Sequence, residues 1–400
     1  MSGQAAEPSP LNRTSPRWMH WMNLFGNILV VLGAGSFSLF LLNWQPETVP
    51  GSIIGQLSNR TVYLWAYTCG FVALMALIGA LDSVLRLSGK SKNPKQKQAG
   101  WLKFIILLFP FILWAVEAWN YSIILPAWIF SILIFLGVMI PAIWLLRMAS
   151  GQLWGQHKGR DASVISFSSS FTMPFIMMVQ LLLLLIGILT LAAFNFDGFF
   201  KVPETMNEIE ELFRSPLLLL AFTVFVAGIA PLVEELLKTL AVWSLLGLNI
   251  SDGEGYIAGM LSGTAFALVE GMLYAAQTAM TPGNDWLYFL LGRFGGTLIH
   301  IFNGGLIGWA LTKTWRDHKV ARLLVIYLLA FTIHGLWNLA IVLTQLIPSL
   351  RGLEVNLVLS NSIMAFLAML VGVGFTVFAR FVLKNIKTEQ AYLSGGKYAG

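Results

Sequence analysis

Apolar runs of about twenty residues recur along nearly the whole chain, and a run of that length spans the ~30 Å hydrocarbon core of a bilayer as a helix. Windows of this kind lie at 21–43, 61–85, 102–119, 121–146, 172–195, 216–247, 256–280, 286–311, 322–344 and 356–383. In hydrocarbon every backbone N–H and C=O must find its partner inside the protein, so helices are the structure these windows permit. The expected fold is all-α, a polytopic membrane bundle of ten transmembrane helices. Composition agrees, with 57% hydrophobic and only 11% charged residues, where a soluble domain carries about one quarter charged. The segment EAWNYS at 117–122 leaves only a tight turn between the third and fourth windows, so 102–146 reads as two crossings or as a re-entrant hairpin.

The first 17 residues are small, polar and proline-bearing without an apolar h-region, and read as a disordered tail rather than a signal peptide. The expected organisation is a cytoplasmic tail at 1–20, N-terminal transmembrane helices at 21–200, an outer loop at 201–215, a transmembrane core at 216–344, a last helix at 345–384 and a tail at 385–400. The acidic stretch 195–215 has room for a short interfacial helix. Cys69 is the only cysteine, which excludes an intramolecular disulfide and argues against a thiolate zinc site.

A formal charge of +6 does not imply nucleic acid here, because the basic residues sit in short loops. Arg86, the run KSKNPKQK, Arg147, Lys158, Arg160, Lys313, Arg316, Lys319, Arg322, Arg380 and Lys384 fall on one side of the ten crossings, and Arg60, Lys201, Arg214 and Arg351 on the other. The first side is expected to be cytoplasmic, with both termini inside. Trp21, Trp44, Trp101, Trp286 and Trp315 stand near window ends, as interfacial anchors do.

Within the windows lie Glu234, Glu235, Lys238, Glu270, Arg293, His300, Asn303, His334 and Asn338. Each charge near the bilayer centre costs about 2.5–3.5 kcal/mol on insertion scales, so such groups must face protein or water. Measured from one side, Glu234, Glu270, His300 and His334 lie on four successive windows at a common depth of roughly 18–21 Å, using 1.5 Å per residue. One polar site near the midplane follows. Glu234 and Lys238, Phe266 and Glu270, His300 and Gly304, and His334 and Asn338 are each four apart, which stacks each pair on one helix face. Lys238 is expected to neutralise Glu234, Asn303 to act as interhelical glue, and Arg293 to snorkel or to pair with an acid. Pro231 removes the donor for the Ala227 carbonyl, so a local opening is expected in GIAPLVEE.

A desolvated carboxylate is a competent base toward water, and imidazole or amide donors stabilise an oxyanion, so the set suits amide hydrolysis. The same residues could hold zinc, with Glu234, Glu270, His300 and His334 as ligands, and no spacing separates zinc from a bare glutamate. Intramembrane acids and imidazoles also build proton- or cation-coupled transporters, which stays open as an alternative. A non-catalytic scaffold is a third.

EELLK at 234–238, FALVE at 266–270, HIFNG at 300–304 and HGLWN at 334–338 resemble, in this order, the four motifs of the PrsW family of intramembrane proteases, which looks related to the CAAX prenyl protease and bacteriocin-processing superfamily. EExxK and FxxxE stand here where that superfamily commonly has EExxxR and FxxxH, which argues against prenylated substrates. The likeness covers about 216–344 and marks that core as catalytic. It implies that Glu234 activates water and Glu235 supports it. Glu270 would take the place of an assisting imidazole, sharing a proton with Glu234. His300 would position water or stabilise charge, and His334 with Asn338 would form the oxyanion site. It further implies a bacterial plasma membrane protein acting on a membrane-anchored protein substrate, of the anti-sigma-factor type. No cofactor is required by this reading, and zinc remains an option.

Overall fold

Hydrocarbon-length helices dominate the computed structural model, which describes residues 17–44, 53–90, 100–120, 126–151, 158–193, 208, 211, 213–246, 250–279 and 286–393. Ten helices among the described residues are long and apolar enough to cross a membrane. They are α1 (Arg17–Asn43), α2 (Asn59–Leu87), α3 (Gly100–Trp119), α4 (Ala127–Ser150), α5 (Gly159–Thr190), α6 (Pro216–Trp243), α7 (Asp252–Ala279), α8 (Trp286–Asp317), α9 (Val320–Leu350) and α10 (Leu357–Asn385). No strand occurs among the described residues. The chain is an integral, multi-pass membrane protein.

The centre of the bundle is α7 against α8, and glycine sets their spacing. Gly255, Gly259 and Gly263 recur every four residues on α7 and face Gly304 and Gly308 on α8. A Cβ on Gly259 would stand 2.0 Å from the Gly304 carbonyl oxygen, and one on Gly263 would stand 2.1 Å from that of His300. The two backbones therefore touch, the arrangement that small residues at four-residue spacing allow in membranes. Around this pair, Tyr256, Met260 and Leu261 of α7 pack with Leu298, Ile301 and Phe302 of α8, Leu145 and Leu146 of α4, and Phe375 of α10. Helix α7 starts at a capping box: the Ser251 hydroxyl accepts from the Glu254 amide at 3.3 Å, while Glu254 accepts from the Ser251 amide at 2.8 Å.

Several expectations shift. Residues 100–119 and 127–150 are two separate helices, each of crossing length, and residues 121–125 between them lie outside the described residues. Helix α5 begins near 159 rather than 172, because Arg160 is held by Glu254 of α7 at 2.8 Å and the turns that follow pack on α2. The last helix continues to Leu393, into what reads in sequence as a tail. Most of the acidic loop 195–215 lies outside the described residues. Trp21, Trp44 and Trp101 are exposed as anchors should be, but Trp286 is not: it is buried edge-on against Phe130 and Phe289.

Gly259→Ala is expected to destabilise the protein by about 1–3 kcal/mol or more, since the added methyl meets backbone that cannot step aside. Gly187→Ala, where a Cβ would meet nothing within 4 Å, should leave the thermal unfolding midpoint in detergent unchanged or slightly raised.

Candidate functional site

The polar residues of α6 are set by what happens to that helix on either side of them. Residues Phe225–Ile229 form one wide π turn directly before Pro231, so the expected opening in GIAPLVEE takes the form of a wide turn rather than a break. The Val226 carbonyl in that turn accepts from Asn338 Nδ2 of α9 at 3.0 Å. Gly335, one turn earlier on α9, lets the Ala227 carbonyl approach so closely that a Cβ would lie 2.8 Å from it. At the other end the α-helix stops at Leu237, and the freed Lys238 carbonyl accepts a hydrogen bond from the Ser262 hydroxyl of α7. Glu234 and Glu235 thus sit on a two-turn segment pinned at both ends.

Glu235 is the hub of the buried network. Its Oε1 accepts from Lys238 Nζ at 2.5 Å, His334 Nδ1 at 2.8 Å and Asn303 Nδ2 at 3.1 Å. Asn303 also donates to the Ala330 carbonyl at 2.9 Å, joining α8 to α9. Lys238 therefore pairs with Glu235, three residues back, and not with Glu234 as its four-residue spacing suggests. Both offsets bring side chains together on a helix, and the Glu234 carboxylate has another partner: Gln180 Nε2 of α5 donates to its Oε1 at 2.7 Å.

Glu270 has its own cation. Arg293 Nη2 donates to Glu270 Oε2 at 2.8 Å and to the Ala267 carbonyl at 3.3 Å, so Arg293 pairs with an acid and does not snorkel. The same Glu270 oxygen lies 3.0 Å from His300 Nε2. The opposite ring nitrogen, His300 Nδ1, lies 3.4 Å from Lys238 Nζ. An ammonium has no lone pair to accept with, so Nδ1 is the acceptor and Nε2–H the donor to Glu270. His334 is held in the same way: Nδ1–H donates to Glu235, and Nε2 lies 3.6 Å from Glu234 Oε2. The two imidazoles meet edge to face at 4.9 Å, and Phe266 closes the site 4.8 Å from the His300 ring.

Three carboxylates, Glu234, Glu235 and Glu270, thus face two basic side chains, Lys238 and Arg293, and the pairing leaves Glu234 over. Its Oε2 is buried without a hydrogen-bond partner among the described residues. Burial of an unmatched acceptor is unfavourable unless something else fills its shell. With His334 neutral and bonded through Nδ1–H, that oxygen and His334 Nε2 are both acceptors, which the two hydrogens of a water molecule match.

Glu234, Glu235, Glu270, His300, His334 and Lys238 are brought together as their spacing suggests. Asn338, beside them on α9, donates to the Val226 carbonyl, and Gly304 serves the contact of α8 with α7. Gln180 is the residue that sequence reasoning missed. It is the sole hydrogen-bonding side chain between Thr172 and Thr190 in an otherwise apolar stretch, and that isolation was the available signal.

Glu234, His300 and His334 each offer a ligand atom within 4.8 Å of the others. Two imidazoles and a carboxylate with one open position is a donor set that zinc accepts. Each imidazole is moreover backed by a carboxylate, Glu235 behind His334 and Glu270 behind His300, as metal-bound histidines commonly are. Zinc would fit Glu234 and His334 as they stand, and His300 Nδ1 once it released its hydrogen bond from Lys238. Glu270 stands behind His300 rather than among the converging atoms.

A family model described as PrsW family intramembrane metalloprotease matches residues 174–373, half of the chain. The match reaches further than 216–344, taking in the second half of α5 with Gln180 and much of α10. No curated protein and no solved structure matches.

Lys238→Met should destabilise the protein by about 3–5 kcal/mol, because Glu235 is left as a buried charge without its cation. Adding Glu235→Gln should restore most of that loss in thermal unfolding, whereas adding Glu234→Gln should not.

Proposed function

The chain belongs to the PrsW family and is an intramembrane protease; we propose that it cuts membrane-anchored protein substrates with a water molecule activated by Glu234. The observation that carries this is the buried Glu234 Oε2, without a hydrogen-bond partner among the described residues and 3.6 Å from His334 Nε2. A water donating one hydrogen to each acceptor presents an oxygen lone pair away from both, toward an incoming peptide carbonyl. Attack at the carbonyl carbon transfers the water proton to Glu234 Oε2, and that proton then passes to the leaving nitrogen as the C–N bond breaks. The Lys238 ammonium supplies positive charge against the oxyanion that forms. Gln180, by holding Oε1, keeps Oε2 turned toward His334. Glu235 and Arg293–Glu270 act at one remove, fixing the tautomers of His334 and His300.

A metal-dependent reading is favoured by the carboxylate behind each imidazole. Glu234, His300 and His334 would hold the ion, which when bound lowers the pKa of its water and polarises the carbonyl. In either case His334 orientation comes from Glu235 and that of His300 from Glu270.

The resemblance of the four motifs supports regulatory substrates of the anti-sigma-factor type in a bacterial plasma membrane. The distribution of loop charges supports cytoplasmic termini.

The test is reconstitution in liposomes with a pool of single-span membrane proteins, reading new termini by mass spectrometry. Glu234→Gln should lower cleavage by roughly 10²–10⁴-fold, the range for losing a general base, with unfolding unchanged. Cleavage retained by Glu234→Gln contradicts the proposal, and ion flux lost in that variant with no cleavage by the parent protein favours a transporter. Cleavage that survives strong chelation, with no zinc found by elemental measurement, selects the metal-free form.

A further inference from the structure

The first half of α5 carries a run of hydroxyls that the chemistry above does not use. Residues 161–172 read DASVISFSSSFT, and Asp161, Ser166, Ser168, Ser169 and Thr172 are all buried, whereas no residue from Met177 to Thr190 is. Alkyl contacts are enough to seat such a helix, as Met173 and Ile176 do against Phe266. Two of the hydroxyls satisfy themselves: Ser169 and Ser170 donate back to the carbonyls of Ile165 and Ser166 at 2.8 and 2.7 Å.

Others lead to the site. Ser168 Oγ lies 2.8 Å from Ser262 Oγ, Ser262 donates to the Lys238 carbonyl, and Lys238 reaches Glu235 and His300. Residues 168–172 form a second π turn, packed against α7 and against 240–243 of α6. A separate observation points to a ligand there. Thr172 Oγ1 and Thr239 Oγ1 belong to residues only 1% exposed, yet neither has a hydrogen-bond partner among the described residues. Buried hydroxyls in that state are commonly completed by water. At its other end the strip begins beside the partly exposed ion pair of Arg160 with Glu254.

We propose that the polar strip of α5, from Asp161 through Ser168 to Thr172 with Ser262 opposite, is the route by which water enters the site from the face bearing Arg160 and Glu254. A hydrolase consumes one water for each bond it cuts, and hydrocarbon cannot supply it. The purpose of the route rests on the hydrolytic reading of the site, but its existence can be measured without turnover.

The experiment uses the full chain in proteoliposomes with Cys69→Ala as background, carrying Ser169→Cys, Thr172→Cys or the lipid-facing control Met178→Cys. The exchanges at 169 and 172 alter few atoms, and Ser166→Cys is a third position. Ag⁺, a probe of nearly water size, is added on one side at a time, and thiols left free are then labelled with maleimide after denaturation. Because the thiolate is the reacting form and needs water around it, Ser169→Cys and Thr172→Cys should be protected on the order of ten-fold faster than Met178→Cys. The faster protection is expected only from the side bearing Arg160 and Glu254. Protection as slow as in Met178→Cys, or only from the opposite side, overturns the proposal. Slow protection with normal cleavage removes the route and leaves the protease reading standing, whereas fast protection without cleavage does the reverse.

Discussion

Water is a poor guest in the middle of a bilayer, and the arrangement of this protein follows from bringing charge there without leaving it bare. Lys238 and Arg293 each neutralise a carboxylate, Glu235 and Glu270, and each of those carboxylates fixes an imidazole. Either cation could in principle have quenched Glu234. Neither does, and the neutral amide of Gln180 takes one of its oxygens instead. A pair would neutralise Glu234, whereas the amide of Gln180 leaves it without a cation. The strength of buried ion pairs counts for less here than the fact that their number stops one short.

Packing delivers these groups to one point. Close contact of α7 and α8 through Gly255, Gly259, Gly263, Gly304 and Gly308 puts Glu270 and His300 within a hydrogen bond of each other. Contact of α9 with the wide turn of α6, through Gly335 and Asn338, does the same for His334 and Glu235. Residues at these positions set the geometry of the network. Asn338 is one such residue, its amide tying α9 to the wide turn of α6.

Much of this was legible in the sequence because a membrane restricts what a chain can do. Ten crossings and a shared depth for Glu234, Glu270, His300 and His334 followed from window length and helical rise alone. Pairing was not legible. Lys238 is a helical neighbour of both Glu234 and Glu235, and only Gln180, 54 residues before Glu234, decides between them. For Arg293, depth alone left snorkelling and pairing with an acid both open, and Glu270 decides for the pair. The start of α5 was lost for a related reason: serines and an acid read as loop when the helices that bury them are not known. Trp286 failed likewise, since nearness to a helix end does not tell lipid from Phe130.

An experimental density map of the full chain in lipid nanodiscs, fine enough to place side chains and water, is the most direct measurement. It should show Lys238 on Glu235, Arg293 on Glu270, and density for a water or an ion between Glu234 and His334. Lys238 or Arg293 seated on the Glu234 carboxylate, with no space beside His334, would contradict the account.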